Sequence, residues 1–190
     1  MIKKYGIIGN PIRHSLSPVL HNYWFKKYKI DAEYSIIDVK NDDLKNIVEN
    51  IKNKNLSGIN VTLPYKQKIV PYLDILVNDA EITNSVNTLH IDDRGYVIGE
   101  NTDVFGLQAA YLKELDNSLR MKALIIGAGG VSPSVILSLQ KSGVSNISII
   151  NRTIEKCKFL KRKFKFLNIL EWKNIKSELN KFDIIINATS

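Results

Sequence analysis

The sequence predicts an α/β protein with two domains, and three observations support this fold class. Over the first hundred residues, short apolar segments typical of strands alternate with segments of helical pattern, as in a mainly parallel sheet with helical crossovers. An apolar segment at 123–126 leads into the turn Gly127-Ala128-Gly129-Gly130, as in a Rossmann-like dinucleotide-binding domain. The 190 residues, 44% of them hydrophobic, suffice for one large core or two small ones. We place the domain boundary near residue 102, so that the domains span 1–102 and 103–190.

The first domain is expected to be a mainly parallel α/β domain. Ser17-Pro18 predicts a helix start, with serine as the N-cap and proline in the first turn. The turn Asp92-Asp93-Arg94-Gly95 separates two apolar segments and predicts an antiparallel hairpin that closes the domain. The expected strands are 5–9, 33–38, 58–61, 85–91 and 96–98, and the expected helices begin at Ser17, at Asp42 and near Pro64.

The second domain is expected to start with a helix from Asp103 through Leu115. Strands and helices then alternate, which predicts a second parallel sheet. A doubly wound dinucleotide-binding fold normally has six strands, so the four strands found here predict a domain that is incomplete at its C-terminus. The expected strands are 123–126, 147–150, 168–170 and 184–187, with a helix at 131–142.

Composition argues against a membrane segment, a disulfide and a metal site. The longest apolar segments are only as long as a strand, and the N-terminus leads directly into a strand pattern rather than a secretory signal. A soluble, cytoplasmic protein without a membrane partner is therefore expected. The single cysteine, Cys157, cannot form an internal disulfide, and no Cys/His cluster has the spacing of metal ligands. We assign no function to Cys157, which is expected on a helix.

The positive charge is concentrated in the second domain. The formal net charge is +8, and residues 104–190 hold 14 of the 27 basic side chains but six of the 19 acidic ones. Most of this excess lies between Lys156 and Lys165 on a predicted helix, and nucleic-acid-binding helices have a similar pattern. A lysine-rich solvated helix face is the commoner cause, and no base-reading motif accompanies it. We therefore expect no nucleic-acid partner.

The glycine-rich turn predicts a dinucleotide site, and the residues after the next strand predict which dinucleotide it binds. In NAD-binding proteins that strand usually ends in Asp or Glu, which binds the ribose 2′-hydroxyl, whereas Asn151-Arg152-Thr153 follows it here. A guanidinium pairs with a 2′-phosphate that a carboxylate would repel, and Lys156 adds a second cation. These residues predict NADP(H) as the cofactor. Its pyrophosphate is expected at the backbone N–H groups of Gly127, Ala128, Gly129, Gly130 and Val131.

Polar side chains in the first domain cluster where strands end and helices begin, the places where α/β proteins bind ligands. Ser15 and Ser17 lie beside a predicted helix N-terminus, whose N–H groups and dipole favour a carboxylate. Lys66 closely follows a strand end, where a charge without a partner costs free energy. Asp103 is the obvious partner, and it is also expected to serve as the N-cap of a helix starting at Val104.

Seven segments of the chain follow one another in the order and at the spacing of a known family. They are Ser15-Leu16-Ser17, Asn60-Val61-Thr62-Leu63-Pro64-Tyr65-Lys66, Ser85-Val86-Asn87-Thr88, Asn101-Thr102-Asp103, Gly127-Ala128-Gly129-Gly130, Asn151-Arg152-Thr153 and Asn187-Ala188-Thr189-Ser190. Together they resemble the shikimate dehydrogenase family. The combination is highly specific, although the dinucleotide-binding segments alone would not be.

The resemblance implies NADPH-dependent, reversible reduction of 3-dehydroshikimate to shikimate, in the biosynthesis of aromatic amino acids through chorismate. It implies that Lys66 and Asp103 perform the acid–base step, in which an ammonium stabilises and protonates the developing oxyanion. The implied substrate-binding residues are Ser15 and Ser17 for the carboxylate, Thr62, Asn87 and Asp103 for the ring hydroxyls, and Lys66. The implied cofactor-binding residues are those of the glycine-rich turn, Asn151, Arg152, Thr153, Lys156, Asn187, Ala188 and Thr189.

One departure from the family concerns the C-terminus. Family members continue beyond Asn187-Ala188-Thr189-Ser190 with the rest of the nucleotide-binding domain, so we expect a truncated chain with weak or no turnover. Its exposed sheet edge favours pairing with another chain, and hence a homodimer. Two alternatives stay open. One is a quinate/shikimate dehydrogenase that also uses NAD, which Arg152 disfavours, and the other is a non-catalytic fragment that binds shikimate or the nucleotide.

Overall fold

The computed structural model describes residues 2–39, 43–115 and 120–189. The chain forms two compact units that divide between Asn101 and Thr102, and each unit has its own β-sheet. These sheets and their connecting helices confirm the α/β fold class predicted from the sequence. None of the helices in the described ranges has the length and hydropathy of a membrane-spanning segment.

A mixed sheet forms the centre of the first unit. Within the described residues, this unit contains β1 (Lys3–Ile8), α1 (Ser17–Lys27), β2 (Ala32–Ile37), α2 (Leu44–Lys52), β3 (Gly58–Val61), β4 (Ile75–Leu76), α3 (Asp79–Thr83), β5 (Thr88–Ile91) and β6 (Val97–Glu100). The strand order is β2-β1-β3-β5-β6-β4. β1 is parallel to β2 and β3, whereas β5 is antiparallel to β3 and to β6, which is the hairpin that the sequence predicts.

The amphipathic pattern of α2 explains how the first unit forms its core. Leu44, Ile47, Val48 and Ile51 recur at i, i+3, i+4 and i+7, which places them on one helix face, and all four are buried. They belong to the same hydrophobic cluster as apolar strand residues that include Ile8, Ile59, Val61, Leu89 and Val97. Burial of these side chains holds the helix against the sheet.

The helix expected near Pro64 does not form. Residues 63–69 make consecutive turns and lead into a 3₁₀ helix at Val70–Tyr72. The Tyr65 N–H donates to the Thr62 carbonyl oxygen at 2.9 Å, a turn-type bond. The Ile69 N–H donates to the Tyr65 carbonyl oxygen at 3.0 Å, so single bonds close separate turns here in place of a continuous α-helix. The sequence pattern also missed the short strand β4 and the helix α3.

The second unit has a parallel four-stranded sheet with the order β10-β7-β8-β9. As far as the structure describes it, this unit contains α4 (Asp103–Ala110), β7 (Lys122–Ile126), α5 (Ser132–Lys141), β8 (Asn146–Ile150), α6 (Ile154–Lys163), β9 (Asn168–Leu170), α7 (Ile175–Glu178) and β10 (Ile184–Asn187). These strands agree with the expected ones. α4 is shorter than expected, because it ends at Ala110 and a 3₁₀ helix at Leu112–Glu114 follows it. Asp42, the expected start of α2, lies outside the described residues.

Asp74 anchors the hairpin of the first unit through its carboxylate. Its Oδ2 accepts a hydrogen bond from the Val97 N–H at 2.8 Å, and its Oδ1 lies 2.9 Å from Lys52 Nζ. The Val97 bond, followed by the Lys52 ammonium, lowers the pKa of Asp74 from its ordinary value. A lowered pKa in the folded state means that the ionised carboxylate stabilises the fold above the unfolded-state pKa of about 3.9. This stabilisation is lost as the pH falls through the folded-state pKa.

We expect Asp74→Asn to unfold at a lower urea concentration than the unaltered chain at pH 7. Asparagine keeps an acceptor for Val97 but lacks the charge, so the difference should shrink as the pH falls below about 4. Urea unfolding followed by circular dichroism across this pH range measures the effect. Asp93→Asn, at an exposed position of the same hairpin turn, is the control and should have no effect. A difference for Asp74→Asn that stays constant with pH would contradict the electrostatic explanation.

Candidate active site

The polar residues of the first unit lie where its central strands end. Ser15 lies in the loop between β1 and α1, and Ser17 is the first residue of α1. Thr62 directly follows β3, and its N–H donates to the Ile8 carbonyl oxygen at the end of β1, at 2.9 Å. Because β1 and β3 are parallel, their carboxyl ends lie at the same edge of the sheet. The loops that follow them therefore start side by side.

The segment before β5 ties the loops of this edge together. The Val86 N–H donates to the Lys66 carbonyl oxygen, and the Asn87 N–H donates to the Glu100 carbonyl oxygen, both at 2.9 Å. The Asn87 carbonyl oxygen in turn accepts from the Val61 N–H at 2.9 Å. The backbone thus holds Lys66 and Asn87, two of the predicted substrate-binding residues, on hydrogen-bonded segments.

The buried side chain of Asn101 hydrogen-bonds the segment that precedes β5. Its Nδ2 donates to the Ser85 carbonyl oxygen at 2.8 Å and to Thr83 Oγ1 at 3.1 Å. The amide Nδ2 has two hydrogens, so it can donate to a carbonyl oxygen and to a hydroxyl oxygen at the same time. The first residue of the Asn101-Thr102-Asp103 motif therefore stabilises the loop that carries Asn87.

Two predicted helix caps are wrong. Leu16 occupies the cap position of α1, with φ −85° and ψ −3°, so the helix starts at Ser17. The Ser15 Oγ accepts the Ser17 N–H at 3.3 Å. Asp103 is likewise the first residue of α4 rather than its N-cap, because Thr102 occupies the cap position. Because Ser17 and Asp103 already belong to the helices, neither occupies the flanking N-cap position.

A series of hydrogen-bonded side chains runs along this edge of the sheet, and the sequence did not predict that Tyr34 belongs to it. The Tyr34 hydroxyl donates to Asn60 Oδ1 at 2.7 Å. Asn60 Nδ2 is 3.2 Å from the Asn87 carbonyl oxygen and 3.3 Å from Thr88 Oγ1. Tyr34 lies on β2, far from every recognised motif, and only the parallel pairing of the strands brings it to Asn60.

In the second unit, the residues expected to bind the cofactor also meet at one sheet edge. The register pairs Ile126 with Ile150 and Asn187 with Ile126, so β7, β8 and β10 end at the same level. The glycine-rich turn follows β7, Asn151-Arg152-Thr153 follows β8, and Ala188-Thr189 follows β10. Open α/β sheets bind ligands at such an edge, outside the carboxyl ends of their strands.

Gly127 is required by both its backbone conformation and its surroundings. Its φ is +112°, which L side chains rarely adopt, and a Cβ built there would lie 2.7 Å from the Ala188 carbonyl oxygen. A Cβ at Gly130, by contrast, would meet no heavy atom within 4 Å. The first glycine thus allows the turn to pack against β10, and Gly130 leaves the outer face open. An open backbone surface of this kind fits a pyrophosphate group.

Side chains already bind two backbone N–H groups of the turn. The Ala128 N–H donates to Asn151 Oδ1 at 3.2 Å, and the Gly129 N–H donates to Ser132 Oγ at 3.0 Å. The Ser132 hydroxyl in turn donates to the Gly127 carbonyl oxygen at 3.1 Å. A pyrophosphate that used these two N–H groups would have to displace Asn151 and Ser132 from them.

Asn151 connects the glycine-rich turn with the segment that carries Arg152. Besides accepting from Ala128, its amide donates through Nδ2 to the Thr153 carbonyl oxygen at 2.9 Å. Arg152, Thr153 and Lys156 are exposed, so their polar groups are accessible to a ligand. At the neighbouring strand end, Asn187 Oδ1 accepts from both the Thr189 N–H, at 3.1 Å, and its hydroxyl, at 2.8 Å. Ser190 lies outside the described residues.

Other candidate chemistry in the described ranges is limited. No group of three or more His, Cys, Asp or Glu side chains there could hold a metal ion. Cys157 lies on α6 and is buried in the hydrophobic cluster of the second unit, which raises the pKa of its thiol. A protonated thiol without solvent access is a poor nucleophile.

Comparison with known protein families gives matches to both units. Residues 7–89 match the shikimate dehydrogenase substrate binding domain, and residues 110–190 match the shikimate / quinate 5-dehydrogenase family. A shikimate dehydrogenase (NADP(+)) from Pelagibacter ubique is 44% identical over 190 residues, which covers 100% of this chain and 70% of that protein.

Solved structures give the same result. The crystal structure of shikimate dehydrogenase from Aquifex aeolicus has 34% sequence identity and a TM-score of 0.90, covering 100% of this chain and 69% of that one. A shikimate dehydrogenase crystallised in complex with NADP+ has 36% identity and a TM-score of 0.88, covering 99% of this chain and 67% of that one. The chain thus spans about 70% of the length of the relatives that it matches.

Proposed function

The chain belongs to the shikimate dehydrogenase family, and we propose that it interconverts 3-dehydroshikimate and shikimate with NADP(H) in the biosynthesis of aromatic amino acids. The observation that carries this proposal is the set of backbone bonds that joins Lys66, Val86 and Asn87 at one sheet edge. They support a preformed position for residues that the sequence assigns to the substrate.

The substrate is proposed to bind to the first unit through hydroxyl, amide and ammonium groups. Ser15 and Ser17 would hold the carboxylate as neutral donors at the start of α1, where the helix dipole favours an anion. Thr62 and Asn87 would bind ring hydroxyls, which both donate and accept hydrogen bonds as these side chains do. Asp103, which the resemblance assigns to a further ring hydroxyl, is the first residue of α4 in the second unit.

We assign the acid–base step to Lys66 and Asp103. NADPH, when bound, supplies the hydride. The Lys66 ammonium stabilises the negative charge that develops on the substrate carbonyl oxygen and donates a proton to that oxygen. In the oxidation of shikimate the neutral amine accepts the same proton.

NADP(H) is the proposed cofactor, bound at the sheet edge of the second unit. The open surface of the glycine-rich turn supports a pyrophosphate site, and the exposed guanidinium of Arg152 supports a 2′-phosphate site. The residues proposed for the cofactor are Gly127, Ala128, Gly129, Gly130, Val131, Asn151, Arg152, Thr153, Lys156, Asn187, Ala188 and Thr189. Use of NAD by a quinate/shikimate dehydrogenase is disfavoured by Arg152, where an acidic residue would be expected.

Binding and turnover measurements together test the proposed function. Calorimetric titration of the purified chain with shikimate, with NADPH and with a short DNA duplex should give binding of the first two only. The rate of NADP+-dependent shikimate oxidation, followed by absorbance at high protein concentration, measures catalysis. Binding without oxidation would favour a non-catalytic ligand-binding protein, and absence of shikimate binding would refute the proposal. Cytoplasmic location and a homodimer stay predictions.

We expect Arg152→Ala to remove most of the preference for NADPH over NADH. A charge-assisted contact with the 2′-phosphate contributes about 1.5 to 3 kcal/mol, which is roughly a 10- to 150-fold loss of NADPH affinity with little change for NADH. Titration of both nucleotides measures the affinity ratio. Arg162→Ala, which removes an exposed arginine from α6, is the matched control. An unchanged ratio in Arg152→Ala would rule out this arginine as the 2′-phosphate ligand.

A further inference from the structure

We propose that Tyr34 is a positioning residue of the substrate site, through which the Asn60 amide, and with it Thr88 and Asn87, is held in one fixed arrangement. This inference rests on the proposed function and extends it to a residue outside the recognised motifs. The Tyr34 hydroxyl donates to Asn60 Oδ1 at 2.7 Å.

The number of protons fixes the direction of these bonds. A phenol has one hydroxyl proton, and Tyr34 donates it to Asn60 Oδ1. Asn60 then donates through Nδ2 to Thr88 Oγ1, and the Thr88 hydroxyl donates to Asn87 Oδ1 at 3.1 Å. All donors therefore point the same way along a relay from Tyr34 to Asn87.

The position of Tyr34 is itself determined by α1. Asn22 binds both sides of the Tyr34 backbone: its Oδ1 accepts the Tyr34 N–H at 2.9 Å, and its Nδ2 donates to the Tyr34 carbonyl oxygen at 2.8 Å. The His21 ring stacks on the Tyr34 ring, with centroids 4.3 Å apart and an angle of 5° between the planes. The tyrosine is 5% exposed, and burial raises its pKa to about 12, so the hydroxyl keeps its proton at neutral pH.

This arrangement predicts an effect on substrate affinity. Asn60 lies against Asn87, which is proposed to bind a ring hydroxyl. With Tyr34 in place, the Asn60 amide, and with it the Thr88 hydroxyl and the Asn87 side chain, is held in one orientation before the substrate arrives. Such preorganisation reduces the conformational entropy lost on binding. Without the phenol hydroxyl, the Asn60 amide can flip, so affinity falls.

The test is a double-mutant cycle in the full chain, with calorimetric titration of shikimate as the readout. Tyr34→Phe removes only the hydroxyl and should weaken shikimate binding about 10-fold, in the range of one lost hydrogen bond. Thr88→Val removes the hydroxyl that links Asn60 to Asn87 and should weaken shikimate binding by a similar factor. Because the two residues act through the orientation of the same Asn60 amide, the double variant should bind little worse than the weaker single variant. NADP+ affinity should stay unchanged in all three variants.

Two controls separate positioning from a general loss of structure. Tyr5→Phe removes a hydroxyl from the adjacent strand β1, for which the described residues show no hydrogen bond, and should leave shikimate affinity unchanged. Near-ultraviolet circular dichroism reports whether Tyr34→Phe is folded. Should that variant not fold, Asn60→Asp breaks the relay from its other side, because a carboxylate still accepts from Tyr34 but cannot donate to Thr88. It should then give the same loss of shikimate affinity.

Each outcome decides the inference. Unchanged shikimate affinity in Tyr34→Phe, or single effects that multiply in the double variant, would overturn the relay while leaving the proposed function intact. Absence of shikimate binding by the unaltered chain would instead overturn the proposed function, and this inference with it.

Discussion

Replacing Lys66 by alanine should lower the rate of NADP+-dependent shikimate oxidation about 10²- to 10⁴-fold, the usual contribution of a general acid or base. Shikimate affinity should change far less, because the hydroxyls and amides of Ser15, Ser17, Thr62 and Asn87 remain. The reason is that the ammonium acts on charge that develops during the reaction, which is absent from the bound ground state. Steady-state rates together with calorimetric affinities give this comparison.

Lys68→Ala is the matched control for Lys66. Both lysines lie in the turns that follow β3, but Lys68 is exposed and Lys66 is partly buried next to the Val86 bond. The control should therefore retain the rate of the unaltered chain. Equal rates for Lys66→Ala and the unaltered chain would remove this lysine from the mechanism.

Replacing Gly127 by alanine should destabilise the second unit and abolish tight NADPH binding. The backbone conformation at φ +112° and a Cβ only 2.7 Å from the Ala188 carbonyl oxygen both oppose a side chain. A residue forced into such a conformation costs about 1–3 kcal/mol, and the close contact with a backbone atom adds to this. Relief of the contact would move the turn away from β10 and displace the N–H groups proposed to bind the pyrophosphate. Thermal unfolding and NADPH titration measure the two effects.

We expect Gly106→Ala, the same glycine-to-alanine change at another position, to raise stability rather than lower it. Gly106 lies inside α4, and a Cβ there would meet no heavy atom within 4 Å. Alanine should stabilise this helix by roughly 0.5–1 kcal/mol, because glycine loses more backbone entropy when it becomes helical. If both substitutions had the same effect on stability, the tight packing of the glycine-rich turn would not be the cause.

Much of the fold was predictable because hydrophobic periodicity and turn chemistry are local properties. The predicted bounds of β3 at 58–61 and of β10 at 184–187 agree with the structure, and so does the antiparallel hairpin around Asp92-Asp93-Arg94-Gly95. The family was also predictable, because its seven short segments keep their order and spacing along the chain, and the comparisons confirm it.

Predictions failed where neighbouring residues admit more than one local structure. Ser17-Pro18 fits a cap followed by a first turn, yet the helix starts one residue earlier because Leu16 has helical backbone angles. Pro64 fits a first helical turn equally well, but the residues after it form turns. The sequence shows which residue types stand at an expected helix start. Packing against the rest of the unit determines which backbone conformation these residues adopt.

The sequence by itself determined the fold class, the family and the chemical types of the candidate site residues, because these depend on residue identity and spacing. Only the tertiary structure decided which groups meet: that Tyr34 reaches Asn60, that Asn151 binds the glycine-rich turn, and that Gly127 packs against Ala188. The physical reason is that strand pairing brings together residues far apart in the chain. Hydrogen bonds and steric contacts act over a few ångströms, so the spatial neighbours of a side chain determine its partners.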